Sequence, residues 1–195
     1  MRWCADRLAR YPCAVDEAYF QDYCGYGPYD EQYLFHSGVT HCVAIAEKYA
    51  LRIRSVLVLG AATGQVLGHF EAAFAEVPEG CEISAWAHAR IPARYRERIR
   101  RADMRQYVPE LCGSGRRFDL GFTNALIYLE EPDLAPLLRD CARMCRYFHH
   151  DSCTAERTEP GDRYIRLVKP RSWWRAQLKA AGFRATRSPY LWRTE

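Results

Sequence analysis

The sequence feature that most constrains the fold is an apolar run that ends in a glycine turn. Four apolar residues, Val56 to Leu59, follow Ser55, and such a run is typical of a strand buried on both faces of a parallel sheet. Gly60 follows at once, and Gly64 comes four residues later. Because glycine has no side chain, a ligand can approach this backbone, where the amides that open the next helix point outward. The pattern predicts a strand over residues 55–59 and a cofactor-binding turn after it.

The spacing of the glycines indicates which cofactor fits the turn. Dinucleotide-binding turns carry G-x-G-x-x-G, whereas Gly60, Gly64 and Gly68 stand at four-residue intervals. This spacing argues against a pyrophosphate across the turn and favours a ligand without phosphate. The stretch resembles the first motif of class I S-adenosylmethionine (SAM) dependent methyltransferases, an acidic residue followed by x-Gly-x-Gly-x-Gly. Val58 stands at the acidic position, and Ala62 stands at the middle glycine.

The resemblance covers residues 53–192, by the order and spacing of the motifs. It implies SAM as the cofactor and S-adenosyl-L-homocysteine as the product. The methionine portion of SAM is then expected on the glycine turn, formed by Gly60, Ala61, Ala62, Thr63 and Gly64. Since Val58 replaces the usual acid, backbone carbonyls, Asn124 or a tyrosine of the N-terminal segment such as Tyr29 must help to hold the methionine ammonium.

An acidic residue follows at the distance expected of a ribose ligand. Glu82 comes 22 residues after Gly60, on the second predicted strand, and an acid about 20 residues beyond such a turn accepts hydrogen bonds from a ribose diol. A single glutamate at a strand end is otherwise usually a surface charge. The run Glu82-Ile83-Ser84 also resembles the second methyltransferase motif. That resemblance implies that Glu82 binds both ribose hydroxyls, with Ile83 beside the cofactor.

A third short strand is predicted from Ile99 to about Asp103. Class I methyltransferases often place an acid here against the adenine amino group. The resemblance therefore implies that Asp103 binds adenine and that Met104 packs on the ring. The alternative is that Asp103 caps the helix that begins at Arg105, because an aspartate side chain accepts hydrogen bonds from the free amides of a helix start.

The fourth strand is predicted over residues 118–124, which begin with Phe-Asp. In the family a strand of this pattern ends at the active centre, which implies that Asn124, Ala125 and Tyr128 lie near the sulfonium and its methyl group. The segment from Asn124 to Glu130 lacks the Asn-Pro-Pro-Tyr signature of many amino-methylating nucleic-acid enzymes. This absence lowers the expectation that DNA is the substrate.

A fifth strand, over residues 146–151, ends in polar groups. Because parallel sheets bind ligands at the carboxyl ends of their strands, His149, His150 and Asp151 are candidate catalytic residues together with Tyr128. A histidine with a pKa near neutrality can remove a proton from a hydroxyl or amine, and Asp151 can orient it. The alternative is that one histidine packs in the core while the other is solvated.

The same region also raises a zinc hypothesis. Cys141, Cys145, His149 and Cys153 carry ligand groups that zinc prefers. The set lacks the C-x-x-C spacing of many zinc sites, and positions 141 and 145 match the buried stripe of a helix. We therefore predict no metal site.

The N-terminal segment is crowded with aromatic residues. They are Tyr11, Tyr19, Phe20, Tyr23, Tyr26, Tyr29, Tyr33 and Phe35. Such a segment can cover a pocket and offer stacking faces and hydroxyls; the alternative is a satellite hydrophobic cluster that packs the N-terminus on the core. We interpret residues 1–50 as a helical cap and residues 51–195 as the SAM-binding part of the same single domain.

Charge and cysteine content bound the remaining possibilities. The chain has 28 basic and 24 acidic residues, and the arginine run over residues 90–105 either binds phosphates or forms a solvated helix face, which we favour. Nine cysteines occur without a C-x-x-C pair, so we expect reduced thiols and a cytoplasmic protein. No apolar run approaches the roughly 20 residues of a membrane span.

Strands and helices alternate from residue 55 onward. They predict a single Rossmann-like α/β domain: a mostly parallel seven-stranded sheet, in full or shortened form, with helices on both faces, an antiparallel edge strand and the N-terminal cap. The resemblance implies an enzyme that methylates an oxygen or nitrogen of a small molecule. Two alternatives stay open: an RNA or peptide methyltransferase, suggested by the arginine run, and a degenerate SAM-fold scaffold, suggested by Val58 and Ala62.

Overall fold

The computed structural model describes residues 17–22, 27–29, 38–150 and 164–194. The strands are β1 Val56–Leu59, β2 Glu79–Glu82, β3 Ile99–Arg101, β4 Phe118–Thr123, β5 Cys145–His150, β6 Arg184–Ala185 and β7 Leu191–Arg193. The helices are α1 Glu17–Gln21, α2 Val39–Lys48, α3 Gln65–Phe74, α4 Ala85–Arg90, α5 Ala93–Arg96, α6 Met104–Gly113, α7 Glu131–Met144 and α8 Arg171–Ala180. A 3₁₀ turn, Ala125–Tyr128, follows β4.

The strands form one seven-stranded sheet in the order β3-β2-β1-β4-β5-β7-β6. Strands β1 to β5 pair in parallel, whereas β7 is antiparallel to both β5 and β6. The predicted Rossmann-like sheet with an antiparallel edge is confirmed. Because β1 lies between β2 and β4, the turn that follows it opens at the centre of the carboxyl edge, where parallel sheets bind ligands.

Helices cover both faces of the sheet because β1 is apolar on both. Leu57 and Leu59 belong to a core shared with α6, α7 and α8. Val56 and Val58 belong to a second core shared with α2 and α3. Val58, at the position of the usual acid, is fully buried there. A carboxylate at this position would be buried among apolar side chains, so valine suits the second core.

The arginine run over residues 90–105 is not a single helix face, and that prediction was wrong. The run crosses α4, α5, β3 and the start of α6. Arg96 donates to the carbonyls of Ala89 and Ile91, and Arg100 pairs with Glu110. Because these guanidiniums leave the chain from several elements and bind local partners, they form no continuous basic stripe along one helix.

The structure separates the residues of the zinc hypothesis. Cys141 and Cys145 lie in the core beneath α7, where burial raises the pKa of each thiol. His149 stacks on Phe122 of the second core, and Cys153 lies outside the described residues. Within the described segments, no group of three or more His, Cys, Asp or Glu side chains could hold a metal ion. None of the helices described is both long and apolar enough to cross a membrane.

The end of α3 allows a direct test of backbone strain. Ala75 caps this helix in the left-handed region, with φ of 55°, and its side chain is exposed. Because glycine adopts this conformation without steric cost, we expect Ala75→Gly to raise the free energy of unfolding by about 0.5–1 kcal/mol. Urea denaturation measures the change. Ala73→Gly, at an exposed position in the last turn of the same helix, should instead lower it by a similar amount; equal destabilisation by both variants would contradict the prediction.

Candidate functional site

The glycine turn has left-handed backbone conformation at three positions and is held to β2 by hydrogen bonds. Gly60, Ala62 and Gly64 have φ angles of 82°, 48° and 89°. The amides of Gly60 and Ala61 both donate to the carbonyl of Cys81 in β2, at 3.0 and 3.1 Å. A Cβ on Gly60 would lie 2.9 Å from the Cβ of Ala125. The glycine at position 60 is therefore required by packing, and the turn lies directly beside the 3₁₀ turn that follows β4.

Ala62 holds the left-handed conformation with a side chain, which costs roughly 1 kcal/mol. The residue is almost fully buried, and its neighbours include Tyr19 and Phe20 of α1. Strained backbone of this kind is commonly found at ligand sites. The strain at Ala62 therefore agrees with a functional turn.

The carboxylate of Glu82 contacts the glycine turn. Its Oε2 accepts a hydrogen bond from Ala62 N at 2.7 Å, and its Oε1 accepts one from Ser84 N at 2.7 Å. The side chain is 4% exposed. Burial raises the pKa of Glu82, and the hydrogen bonds from the backbone amides of Ser84, Ala62 and Ile83 oppose that rise. Each oxygen keeps acceptor capacity for a ligand hydroxyl.

Two apolar side chains lie beside this carboxylate at the same edge of the sheet. Ile83 follows β2 and is 50% exposed; it is one of two exposed large apolar side chains in the described part of the chain. Met104, at the start of α6, is partly buried. Ala102 N donates to the Glu82 carbonyl at 3.0 Å, so the ends of β2 and β3 are adjacent. An exposed isoleucine next to a buried carboxylate is suited to contact with a flat apolar ring.

Asp103 is a helix cap and an ion-pair partner. Its Oδ1 accepts from Arg105 N at 2.8 Å, and its carboxylate pairs with the Arg105 guanidinium. That guanidinium also contacts Asp133 at 2.9 Å. The alternative that Asp103 caps α6 is confirmed. Its contact with adenine stays a prediction, and an adenine amino group would share the carboxylate with Arg105.

Thr123, which sequence reasoning missed, ties the two central strands together. Its hydroxyl donates to the Leu59 carbonyl at 2.8 Å and accepts from Ala125 N at 2.9 Å. Asn124 follows it and lies close to Gly38 and His149, because a Cβ on Gly38 would be 3.5 Å from both side chains. The ends of β1, β4 and β5 therefore meet around Asn124. A threonine at the penultimate position of the predicted fourth strand was the available signal.

Both candidate histidines are buried, on different faces of the sheet. His149 is 0% exposed and stacks on Phe122, with ring centroids 5.3 Å apart. His150 is 3% exposed, and its ring lies 4.7 Å from Trp174. The alternative that one histidine is solvated is wrong. Asp151 lies outside the described residues, so its role stays a prediction.

Burial changes what these imidazoles can do. It lowers the pKa of His149 to about 3, and His41 and His150 lower it further; it lowers the pKa of His150 to about 4. Among the described residues, neither ring has a hydrogen-bond partner on either nitrogen. An effective general base has a pKa near the working pH. Both histidines are therefore neutral and weakly basic at neutral pH.

The helix α1 covers the glycine turn. Tyr19 and Phe20 are buried against Ala62 and against Ala87 of α4. Phe20 also stacks on Trp86, with centroids 5.3 Å apart and planes 12° apart. This cluster is separate from the two main cores, so α1 belongs to a satellite hydrophobic cluster that also covers the predicted pocket. Trp86, four residues after Glu82, is another neighbour of the site that sequence reasoning missed.

A hydrogen bond joins α1 to the 3₁₀ turn that follows β4. The hydroxyls of Tyr19 and Tyr128 lie 2.8 Å apart, and Tyr29 lies 6.3 Å from Tyr19 by ring centroid. We expect Tyr19→Phe and Tyr128→Phe each to destabilise the protein, with a coupling energy of about 1 kcal/mol in a double-mutant cycle, since both remove the same partly buried bond. Chemical denaturation of the four proteins measures it. Additive losses would contradict a shared bond.

Comparisons with known proteins agree with this arrangement. No protein-family model and no curated protein matches the sequence, but solved structures match its fold. A SAM-dependent methyltransferase from Archaeoglobus fulgidus has 17% identity and a TM-score of 0.61, over 80% of this chain and 74% of that one. The sugar N-methyltransferase KedS8 from a Streptoalloteichus species has 18% identity and a TM-score of 0.61, over 84% and 90%. The magnesium protoporphyrin IX methyltransferase ChlM from Synechocystis, crystallised with SAM, has 15% identity and a TM-score of 0.57, over 80% and 74%.

At sequence identities this low, the similarity shows a shared fold and not a shared activity. The similarity extends over most of each compared chain, and the sheet has the predicted mostly parallel order with an antiparallel edge. The chain therefore has the fold of the class I SAM-dependent methyltransferases.

Proposed function

We propose that this protein is an enzyme that transfers a methyl group from SAM to an oxygen or nitrogen atom of a small-molecule acceptor. The observation that carries the proposal is the 2.7 Å hydrogen bond from Ala62 N to Glu82 Oε2. This bond brings the glycine turn and the strand-end carboxylate, 20 residues apart in the chain, to one point. A ligand with a polar tail next to a ribose diol can contact both, and SAM has these groups.

Each portion of SAM has a proposed set of contacts. The ribose hydroxyls bind Glu82, and the adenine ring lies against Ile83 and Met104, near Asp103. The methionine portion lies along the glycine turn, Gly60 to Gly64. Because Val58 is buried and uncharged, the methionine ammonium needs other acceptors. Asn124 and Tyr29 are the proposed substitutes.

The chain contributes mainly alignment. When bound, SAM would supply an activated methyl group on its sulfonium: an oxygen or nitrogen of the acceptor would attack the methyl carbon in line as its bond to sulfur breaks, and S-adenosylhomocysteine would leave. Thr123 holds the ends of β1 and β4 together through its bonds to Leu59 and Ala125. This linkage keeps Asn124 and Tyr128 in a constant position relative to the glycine turn. Holding two reactants in line is by itself a large source of rate acceleration.

The proposed mechanism does not use a histidine to remove a proton from the acceptor. His149 and His150 have pKa values of about 3 and about 4, so they accept a proton poorly at neutral pH. We assign them to the walls of the acceptor region. Tyr128 and Asp151 are the proposed residues for orienting the acceptor's hydroxyl or amine.

The names of similar structures support a small-molecule acceptor. KedS8 is named as a sugar N-methyltransferase, and ChlM is named for magnesium protoporphyrin IX. In addition, the arginine run is spread over several elements, which weakens the RNA alternative. The acceptor region is proposed at the carboxyl ends of β4 and β5, beside Asn124.

Isothermal titration calorimetry with SAM and with S-adenosylhomocysteine tests the proposal. We expect saturable binding of both, with Kd between about 1 µM and 1 mM, the usual range for enzyme substrates. Because Tyr19 and Phe20 pack on Ala62, α1 must shift when the methionine portion binds. Chymotrypsin cleavage after Tyr19 and Phe20 of α1 should therefore change when S-adenosylhomocysteine is added.

A scaffold without cofactor is the second candidate function. Two observations favour it: Ala62 replaces a glycine of the motif, and α1 packs against that alanine in the structure. Failure of both SAM and S-adenosylhomocysteine to bind the folded protein would overturn the enzyme and support the scaffold.

A further inference from the structure

A narrow crevice lies between the first turns of α8 and the segment that precedes β7. Its walls include His150, Arg171, Trp174, Arg175 and Tyr190. Its free volume is about 10 Å³, which is near the minimum that holds one water molecule. His150 is the last residue of β5 and pairs in register with Thr123. The crevice therefore opens at the same edge of the sheet as the glycine turn, one strand away from Asn124.

The mouth of this crevice is positively charged. Arg171 and Arg175 lie one helical turn apart and are both exposed, and the described residues that line the crevice include no carboxylate. Among the described residues, neither arginine makes an ion pair. Two like charges at this spacing repel one another. The repulsion would be relieved by an anion placed between them.

The start of α8 adds to this charge. Arg171 is the first residue of the helix, no acidic residue lies in its first turn, and its cap, Pro170, makes no side-chain hydrogen bond. A helix start carries partial positive charge and favours anions, so an arginine there is locally unfavourable. Placements that oppose local preferences are often found at functional sites. The pairing of Arg171 with Arg175 and the position of Arg171 at the start of α8 both favour a negatively charged ligand.

The floor of the crevice has a polar group with no partner. Both ring nitrogens of His150 are buried and have no hydrogen-bond partner among the described residues. Burial lowers the pKa of His150 to about 4, and the main chain of Thr123 opposes this shift. A neutral imidazole offers one donor and one acceptor. An oxygen or a bridging water in the crevice would satisfy it.

We infer that this crevice binds an oxyanion, a carboxylate or phosphate group, between Arg171 and Arg175, with His150 bonded to one oxygen directly or through water. Guanidinium groups bind both kinds of oxyanion through paired N–H donors. The second part rests on the proposed function: the oxyanion belongs to the methyl acceptor, because the crevice lies beside the proposed acceptor region. The proposed substrate class is thus an acidic small molecule.

Titration of the full chain with inorganic phosphate and with acetate, at constant ionic strength, tests the site. We expect saturable binding in the millimolar range and a change in the His150 imidazole ¹⁵N signals. Arg171→Gln combined with Arg175→Gln should weaken binding about tenfold or more. Lys48→Gln combined with Arg52→Gln, which removes the same two charges from exposed positions outside the crevice, is the matched control and should leave binding within about twofold. Equal losses in all variants, or no saturation by either anion, would overturn the site.

Adding S-adenosylhomocysteine distinguishes the two sources of the oxyanion. If the group belongs to the acceptor, phosphate and S-adenosylhomocysteine bind together, and the phosphate Kd is unchanged. If phosphate and S-adenosylhomocysteine compete, the crevice holds the carboxylate of the cofactor, and the assignment to the acceptor is overturned. If S-adenosylhomocysteine does not bind at all, the proposed function fails and the acceptor assignment fails with it. The titration without cofactor still decides the oxyanion site by itself.

Discussion

Glu82→Ala should weaken the binding of S-adenosylhomocysteine by about 1–3 kcal/mol, a loss of roughly 5- to 150-fold in affinity. The carboxylate is buried and already oriented by the amides of Ala62 and Ser84. A ribose diol therefore binds to a preorganised acceptor, and alanine removes both hydrogen bonds at once. Calorimetry at constant pH and ionic strength measures the change in Kd.

Two further variants separate binding from folding. Glu79→Ala removes a carboxylate from the other end of β2, where Glu79 pairs with Arg116, and it should leave the cofactor Kd unchanged. Glu82→Gln keeps the size of the side chain and should fall between wild type and Glu82→Ala. Thermal unfolding shows whether each variant is folded. A folded Glu82→Ala protein with the wild-type Kd would remove Glu82 from the site.

Acidification from pH 7.5 to pH 5.0 should lower the free energy of unfolding by about 4 kcal/mol through two histidines. The folded-state pKa values of His149 and His150 are about 3 and about 4, both below the ordinary value of 6.5. Below pH 6.5 the unfolded chain therefore binds protons that the folded chain does not, and stability is lost as the pH falls. Each imidazole contributes about 1.4 kcal/mol per pH unit between about pH 6.5 and pH 5.0, and little above pH 6.5.

The measurement compares how steeply the free energy of unfolding changes with pH in each variant, because Glu82 affects this dependence with the opposite sign. Burial raises the pKa of Glu82, so that carboxyl takes up its proton at higher pH in the folded state, and its contribution to stability grows as the pH falls. Urea denaturation at several pH values gives the slope for wild type, His149→Gln and His150→Gln. Each variant should lose about half of the histidine contribution. A His149→Gln/His150→Gln protein that keeps the wild-type slope would show that the two rings are not the cause.

Local sequence patterns were sufficient to predict the sheet and to place the glycine turn and Glu82 of the candidate site together. An apolar run that ends at a glycine predicts a buried central strand and its turn, and Glu82 is at the spacing of a ribose ligand. Both predictions depend on residues close together in the chain, and the structure joins them by one hydrogen bond. The aromatic content of the N-terminus likewise predicted a cap.

The properties of other residues depend on distant neighbours. Whether His149 and His150 are solvated depends on Phe122, Trp174 and the antiparallel β7, and no local pattern contains those contacts. The role of Asp103 depends on a guanidinium that also binds Asp133 of α7. These contacts exist only after the strands and helices have assembled.

The sequence by itself therefore determined the class of fold, the position of the turn and the acid beside it, because those follow from the spacing of apolar residues, glycines and one carboxylate. Only the tertiary structure decided which polar groups are exposed to solvent and which are buried. Burial arises from contacts between residues far apart in the chain. It sets the protonation state of both histidines, places α1 over Ala62, and brings Arg171 and Arg175 to the same crevice as His150.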